Sequence, residues 1–139
     1  MFLGSRDESR GSEAVSDVLR EIGPAYNDRI ELMIGFDVNN TESVNVTAAV
    51  NFSARFGSLV SLFGIVNNAE IGFGRTVPEC VSTNTLGPKR TFDAFSPFLQ
   101  PQGRIVNVSS ASGPNYVSKL PPTEQAYFIG KLLYYITKF

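Results

Sequence analysis

Chemically useful side chains follow four predicted strands of this sequence, at the points where the strands end. Arg6 follows the first apolar run, Asp37 the second, Asn68 the third and Ser110 the fourth. In an open parallel sheet, ligands bind outside the carboxyl ends of the strands, so these four side chains would share one edge. Taken singly, each is more often a turn residue or a helix cap. Together, a guanidinium, a carboxylate, an amide and a hydroxyl favour a nucleotide as the ligand.

Four apolar runs predict the strands that must position these residues. They are Phe2-Leu3 and the segments 30–36, 59–66 and 104–108. The third run is continuously apolar and ends at Asn67-Asn68, a pattern typical of a strand buried on both faces. Gln102-Gly103 predicts a turn just before the fourth strand.

Four helices are predicted between and after these strands. The first has an i, i+3, i+4, i+7 apolar pattern ended by Gly23-Pro24, and the second has Asn39 as its cap, with Glu42 in capping-box spacing. The third covers roughly 84–99, and the last runs from Pro121-Pro122 to about 137. The apolar residues of the first two helices are Val15, Val18, Leu19, Ile22, Val44, Ala48, Phe52 and Phe56.

Strands that alternate with helices predict an α/β fold. Parallel strands joined by right-handed crossovers would place helices on both faces of the sheet. The 139 residues suffice for one domain, and we expect a single domain over 1–139.

Composition excludes several functions. The sequence has no histidine and a single cysteine, Cys80, which excludes Ser-His-Asp catalysis and histidine-ligated zinc sites, so no metal is expected. A net charge of −1 argues against a nucleic-acid partner. The sequence has neither a signal peptide nor a long apolar span, so we expect no membrane association and a cytoplasmic location. Cys80 is interpreted as a small buried hydrophobe.

Several motifs resemble those of the short-chain dehydrogenase/reductase family, most closely its carbonyl-reductase-like branch. The resemblance covers about residues 2 to 120. The run from Pro101 to Ser110 and the Asn-Asn-Ala run are the most specific parts. The matching stretches are Leu3-Gly4-Ser5-Arg6-Asp7 with Arg10-Gly11, Asp37-Val38, Val66-Asn67-Asn68-Ala69, Thr83-Asn84-Thr85-Leu86-Gly87 and Pro101-Gln102-Gly103-Arg104-Ile105-Val106-Asn107-Val108-Ser109-Ser110.

The resemblance implies NADP as the cofactor. Arg6 is similar to the arginine that pairs with the 2′-phosphate, where an NAD enzyme would carry a carboxylate. Asp37 is similar to the aspartate that accepts from the adenine amino group, beside the backbone of Val38. Asn68 and Ala69 would approach the cofactor through side chain and backbone. Arg6 as a surface arginine and Asp37 as a helix cap are the alternatives.

For catalysis the resemblance implies an Asn-Ser-Tyr-Lys set. Ser110 matches the serine that hydrogen-bonds the substrate carbonyl, and Asn84 the asparagine that holds a water near the lysine. Tyr127 and Lys131 have the Tyr-x-x-x-Lys spacing, which lets an ammonium lower a tyrosine pKa from about 10. A second interpretation stays open, in which Tyr127 is only an aromatic residue on a helix. The carbonyl-reductase-like branch places its pair farther on, and the pair would then lie beyond Phe139.

The sequence departs from the family pattern in its first elements. The family's first strand and the glycine-rich loop that holds the pyrophosphate have no counterpart, because Gly72-Phe73-Gly74 lacks a third glycine and follows another strand. Without that strand the sheet would have a gap of about 9–10 Å, two strand spacings. Glu70 replaces the family glycine after Asn-Asn-Ala, where it would crowd the cofactor and repel its phosphates.

The sequence therefore predicts an oxidoreductase that reduces a small carbonyl compound with NADPH, with activity impaired by the missing elements. The alternative is a non-catalytic remnant that acts as an interaction module, pairing its exposed sheet edges with a homologue. Assembly into a homo-oligomer is left open.

Overall fold

Parallel strands alternate with helices along the chain, as predicted. The computed structural model describes residues 1–57 and 61–128, and it divides into two units, Met1–Asn107 and Val108–Phe139. The first unit holds the described strands, which are β1 (Phe2–Ser5), β2 (Glu31–Ile34), β3 (Leu62–Asn67) and β4 (Leu99–Asn107).

These strands form two separate sheets of two parallel strands each. β1 pairs with β2, and β3 pairs with β4. Within the described residues, β1 and β3 each have one strand partner. The described strands thus form two separate parallel pairs and not one continuous sheet.

Helix α1 (Glu8–Ile22) packs beside β1 and β2 and carries the predicted apolar pattern. Asp7 caps it, because its carboxylate accepts from the Arg10 N–H at 2.8 Å. Gly11 is buried at the contact with the strands, where a Cβ atom would lie 2.6 Å from a Leu32 methyl carbon. Gly23 ends the helix with φ 94°, and a 3₁₀ turn (Pro24–Arg29) leads to β2.

The second helical segment begins at a different cap from the one predicted. It comprises α2 (Thr41–Val46), a π-helical turn (Thr47–Phe52) and α3 (Ser53–Phe56). Its cap is Asn40, not Asn39, since Asn40 Oδ1 accepts from the Ser43 N–H at 3.1 Å. The side chain of Asn39 is instead bonded to another helix, which leaves Asn40 to begin this one.

The core forms where this segment meets the third helical segment and both sheets. Val44, Ala48 and Phe52 are buried, as the predicted stripe requires, whereas the side chain of Phe56 lies outside the described part of the structure. They pack with Ile65 of β3 and with Phe95. Edge-to-face aromatic contacts link Phe52 to Phe2, Phe95 and Phe98 at the centre of the core.

The third helical segment starts earlier than predicted. It comprises α4 (Val77–Val81), a π-helical turn (Ser82–Leu86), α5 (Gly87–Phe95) and a 3₁₀ turn (Ser96–Phe98). A capping box begins it, in which Thr76 and Glu79 exchange hydrogen bonds. Pro88 is tolerated because it lies in the first turn of α5.

Two strand predictions need correction. β3 is not buried on both faces: Ile65 is buried, but Phe63 and Val66 are 69% and 66% exposed. Residues 58–60 of the predicted strand lie outside the described residues, and residue 61 is not in a strand. β4 begins at Leu99 and passes through the predicted turn, because Gln102 adopts φ 66° at an irregularity and the strand then continues.

The second unit contains α6 (Ser112–Val117), which the sequence did not predict, and helical residues 122–128. The remainder of the predicted last helix, 129–137, lies outside the described residues. Val108, the predicted end of the fourth strand, belongs to this unit and is not in a strand. Over residues 1–57 and 61–128, no helix has the length and apolar character needed to span a bilayer.

Candidate functional site

Arg6 and Asp37 follow adjacent strands of one sheet. Ser5 and Ile34 are register partners in β1 and β2, and the Phe36 N–H donates to the Ser5 carbonyl oxygen at 3.1 Å just past them. The parallel register therefore brings the two chain segments after the strands together. The Arg6 guanidinium is exposed and has no hydrogen-bond or ion-pair partner within the described residues.

The turn after β2 is held by its own side chains. Asp37 Oδ1 accepts from the Asn39 N–H at 2.9 Å, which is an Asx turn. The Asp37 N–H donates to Ser43 Oγ at 3.0 Å, and Ser43 in turn donates to the Gly35 carbonyl oxygen at 2.6 Å. One carboxylate oxygen of Asp37 is therefore committed to the turn, while the other has no partner among the residues that the structure describes.

Asn39 joins this turn to the π-helical turn between α4 and α5. Its Nδ2 donates to Thr83 Oγ1 at 2.8 Å, and its Oδ1 accepts from Ser82 Oγ at 2.9 Å. The sequence predicted Asn39 as a helix cap and did not indicate this role. No local pattern signals a contact with a residue 44 positions away. The contact places the Asp37 turn next to the residue that precedes Asn84.

Asn84 lies in that π-helical turn and binds the loop that follows β3. Its Oδ1 accepts from the Ile71 N–H at 3.0 Å, and its Nδ2 donates to the Ile71 carbonyl oxygen at 2.8 Å. Ile71 is two residues after Ala69, so the loop that carries Asn68 and Ala69 is fixed beside Asn84. π-helical turns occur frequently at functional sites.

The carboxyl ends of β3 and β4 are joined by a side-chain hydrogen bond. Asn67 Nδ2 donates to Asn107 Oδ1 at 2.8 Å, between register partners. Asn68 and Ala69 follow this bond directly and are exposed. In the first unit, hydrogen bonds of these or neighbouring residues thus link the chain segments that carry the predicted site residues, which are Arg6, Asp37, Val38, Asn68, Ala69 and Asn84.

The remaining predicted site residues belong to the second unit. Ser110 is exposed, and its Oγ accepts from the Ser112 N–H at 3.2 Å, as in a serine turn. Tyr127 is exposed in a helical stretch, with its ring 5.7 Å from that of Phe128 in an edge-to-face pair. Lys131 lies outside the described residues, so the Tyr127–Lys131 pair stays a prediction.

Phosphate binding is disfavoured at the N-termini of helices α1, α2 and α4. Asp7 caps α1 and Asn40 caps α2, so these ends carry acceptor side chains of their own. At α4 the Glu79 carboxylate accepts from the Thr76 N–H and hydroxyl, each at 2.8 Å, and these bonds, led by the backbone one, lower the pKa of Glu79. The Glu79 carboxylate already binds donors at that helix end, which disfavours a second anion there.

The chain segments after β1 and β2 thus carry a guanidinium and a carboxylate next to each other. A guanidinium can bind a phosphate group, and a carboxylate oxygen can accept a hydrogen bond from an amino group. The glycine pair at 72 and 74 lies in a turn that leads to α4, and its Phe73 side chain is fully exposed. That turn gives no cradle for the pyrophosphate.

The sequence is similar to those of known dehydrogenases and reductases. The chain is similar to a (+)-neomenthol dehydrogenase of Arabidopsis thaliana, at 33% identity over 81% of this chain and 46% of the relative. It is also similar to an NADPH carbonyl reductase of Rattus norvegicus, at 32% identity over 92% of this chain and 46% of the relative. The chain thus spans about half the length of the curated relatives it matches. No model of a known protein family matches the sequence.

Solved structures share the fold. The menthone neomenthol reductase from Mentha piperita aligns with a TM-score of 0.62 at 24% identity, over 99% of this chain and 65% of that one. The NADPH-bound carbonyl reductase from chicken fatty liver aligns with a TM-score of 0.57 at 25% identity, over 81% of this chain and 48% of that one. In sequence and in fold the chain is therefore similar to carbonyl reductases and menthone or neomenthol reductases of the short-chain dehydrogenase/reductase type, with which it shares a Rossmann-like α/β fold.

Proposed function

We propose that this chain is part of an NADPH-dependent reductase of carbonyl compounds and that it binds the adenosine 2′-phosphate end of the coenzyme. The observation that carries this proposal is the adjacency of Arg6 and Asp37 at the ends of paired strands. The names of the relatives support NADPH as the coenzyme, because several of them are NADPH carbonyl reductases.

Each residue of the first unit would have a distinct task. Arg6 would donate charge-assisted hydrogen bonds to the 2′-phosphate, since its guanidinium has no competing partner within the described part of the chain. Asp37 would accept from the adenine amino group with the carboxylate oxygen that the turn does not use. Asn68 and Ala69 would approach the coenzyme from the loop that Asn84 fixes.

The substrate side of the proposal involves the second unit. NADPH, when bound, supplies the hydride that reduces a carbonyl carbon. Ser110 would donate its hydroxyl hydrogen to the carbonyl oxygen of a small substrate, and Tyr127 with Lys131 is the candidate proton donor of this chain. Because the fold's pyrophosphate loop has no counterpart in the 139 residues, we propose weak coenzyme binding and impaired turnover.

Titration of the purified chain with NADPH and with NADH, followed by nicotinamide fluorescence, tests this function. We expect saturable binding of NADPH and at least about tenfold weaker binding of NADH, since the 2′-phosphate contact is worth about 1.5–3 kcal/mol. Absence of saturable NADPH binding at millimolar concentration would refute the proposal.

A second candidate function is an interaction module with no catalysis. It is favoured by the exposure of Phe63 and Val66 on β3, a strand with one strand partner within the described residues. Open strand edges beside exposed apolar side chains favour pairing with another chain. Sedimentation of the chain alone and with a full-length homologue discriminates the two: a stoichiometric complex in the absence of coenzyme binding would favour the module.

A further inference from the structure

Arg90 connects two segments that the proposed coenzyme site requires. It lies in α5 and is half-buried. Its Nη1 donates to the Val38 carbonyl oxygen at 3.1 Å and to the Ser82 carbonyl oxygen at 3.1 Å. A guanidinium Nη1 carries two hydrogens, so one nitrogen can serve both carbonyls.

Both acceptors belong to elements described above. Val38 is the residue after Asp37, in the turn at the end of β2, and Ser82 begins the π-helical turn that carries Asn84. The bond from Arg90 to Val38 spans 52 residues of sequence. Arg90 therefore ties the Asp37 turn to the helical segment through the backbone of both.

Two further contacts hold the same turn on the same helix. Asn39 bonds to the hydroxyls of Ser82 and Thr83. The Val38 side chain packs on Gly87, where a Cβ atom would lie 3.1 Å from Val38 Cγ2. Arg90 supplies the charged member of this set, and hydrogen bonds from a charged donor are stronger than those between neutral groups.

We propose that Arg90 is a positioning residue for the adenosine end of the coenzyme site. This inference rests on the proposed function, because it takes Asp37 and Val38 as the adenine-binding residues. By holding the Val38 carbonyl, Arg90 fixes where the Asp37 carboxylate and the Val38 backbone lie. It also makes the geometry of that turn dependent on the helical turn that carries Asn84.

The test compares Arg90→Met, Arg90→Lys and Lys89→Met. Methionine keeps an apolar side chain and removes the hydrogen-bond donors. Lysine keeps hydrogen-bond donors, on an ammonium group and a shorter side chain. Lys89 is the matched control, since it is exposed on the same helix, is paired with Asp93 and loses the same charge. The first measurement is hydrogen exchange at the amides of Asp37, Asn39 and Asn40, which are hydrogen-bonded within the turn.

We expect Arg90→Met to accelerate exchange at these three amides by about tenfold, as loss of a charged hydrogen bond of about 1.4 kcal/mol requires. Arg90→Lys should recover at least half of that effect on a logarithmic scale, and Lys89→Met should exchange like the parent chain. Equal exchange in Arg90→Met and the parent would overturn the inference, as would a lysine variant no better than methionine. If Arg90→Met does not fold, Arg90→Gln, which also removes the charge, takes its place, with the same expected and contrary results.

The second measurement is the affinity for adenosine 2′-phosphate. Arg90→Met should weaken binding by about tenfold and Arg90→Lys by less, while Lys89→Met leaves it unchanged. A chain that binds no adenosine 2′-phosphate at all would refute the proposed function, and the exchange data would still decide whether Arg90 positions the turn. Unchanged affinity in Arg90→Met beside accelerated exchange would contradict the positioning role toward the coenzyme.

Discussion

The side chain of Asn84 forms two hydrogen bonds with the backbone of a single residue, Ile71. The amide oxygen accepts from the Ile71 N–H at 3.0 Å, and the amide nitrogen donates to the Ile71 carbonyl oxygen at 2.8 Å. The Asn84 side-chain amide thus forms the same pair of hydrogen bonds with the Ile71 backbone that a residue of a neighbouring strand would form. It holds the loop after β3, which carries Asn68 and Ala69, against the π-helical turn.

Replacement of Asn84 by Ala should release this loop. We expect a loss of about 1–2 kcal/mol in the free energy of unfolding, because two exposed hydrogen bonds are removed. Exchange of the Ile71 amide, measured by NMR, should accelerate at the same time. Asn27→Ala is the control, since Asn27 is exposed in the 3₁₀ turn before β2. Equal stability and exchange in the Asn84 and Asn27 variants would contradict this role.

Gly11→Ala should destabilise the packing of α1 on its sheet. The new Cβ would lie 2.6 Å from Leu32 Cδ1 and 2.9 Å from Ser5 Cβ, so the helix must shift. Overpacking of this kind costs about 1–3 kcal/mol, which thermal unfolding would report as a lower midpoint. Gly113→Ala is the matched control in α6, where a Cβ meets nothing within 4 Å. A midpoint for Gly11→Ala as high as the control's would show that the contact is not tight.

Phe52→Ala should remove the centre of the aromatic core. The Phe52 ring lies 5.2 Å from Phe2, 5.8 Å from Phe95 and 5.2 Å from Phe98, measured between ring centroids. Truncation of a buried phenylalanine costs about 3–5 kcal/mol, a large fraction of a small domain's stability. Urea unfolding measures the loss, with Phe73→Ala as the control because Phe73 is fully exposed. Similar midpoints for the two variants would refute this description of the core.

The pKa of Glu79 should depend on its capping box. Hydrogen bonds from the Thr76 backbone and side chain, and then the charge of Arg75, hold that pKa below its ordinary value of 4.5. Because the folded-state pKa is lowered, the stabilisation is present above pH 4.5 and is lost as the pH falls through the lowered pKa. Carboxyl NMR titration should find the Glu79 pKa raised in Thr76→Val, though not fully, since the backbone donor remains. An unchanged pKa in that variant would contradict the capping box.

The sequence was informative where local patterns decide the structure. The apolar spacing of α1 and the Gly23-Pro24 stop predicted a helix that the structure contains, and alternation of elements predicted the parallel pairing. The residue types that follow the strands also indicated which chain segments carry the candidate site residues. In each case the signal lies within a few neighbouring residues.

The sequence could not predict contacts between residues that are far apart along the chain. Asn39 and Asn40 are equal candidates for a cap, and the choice between them depends on the bonds of Asn39 to Ser82 and Thr83. The apolar run of β3 predicted burial on both faces, but burial depends on what packs against the strand, and Phe63 and Val66 are exposed. The Arg90 bridge likewise has no local pattern, since its acceptors are backbone carbonyls.

In our proposal, Arg6 and Asp37 form the adenosine 2′-phosphate end of a coenzyme site. A ¹H–¹⁵N NMR titration of the chain and of Arg6→Gln with adenosine 2′-phosphate tests this, with Arg20→Gln, on the exposed face of α1, as the control. We predict saturable shift changes at residues 6, 37 and 38 that weaken about tenfold in Arg6→Gln and persist in Arg20→Gln. Shift changes scattered away from these residues, or equal affinity in Arg6→Gln and the parent chain, would contradict the claim.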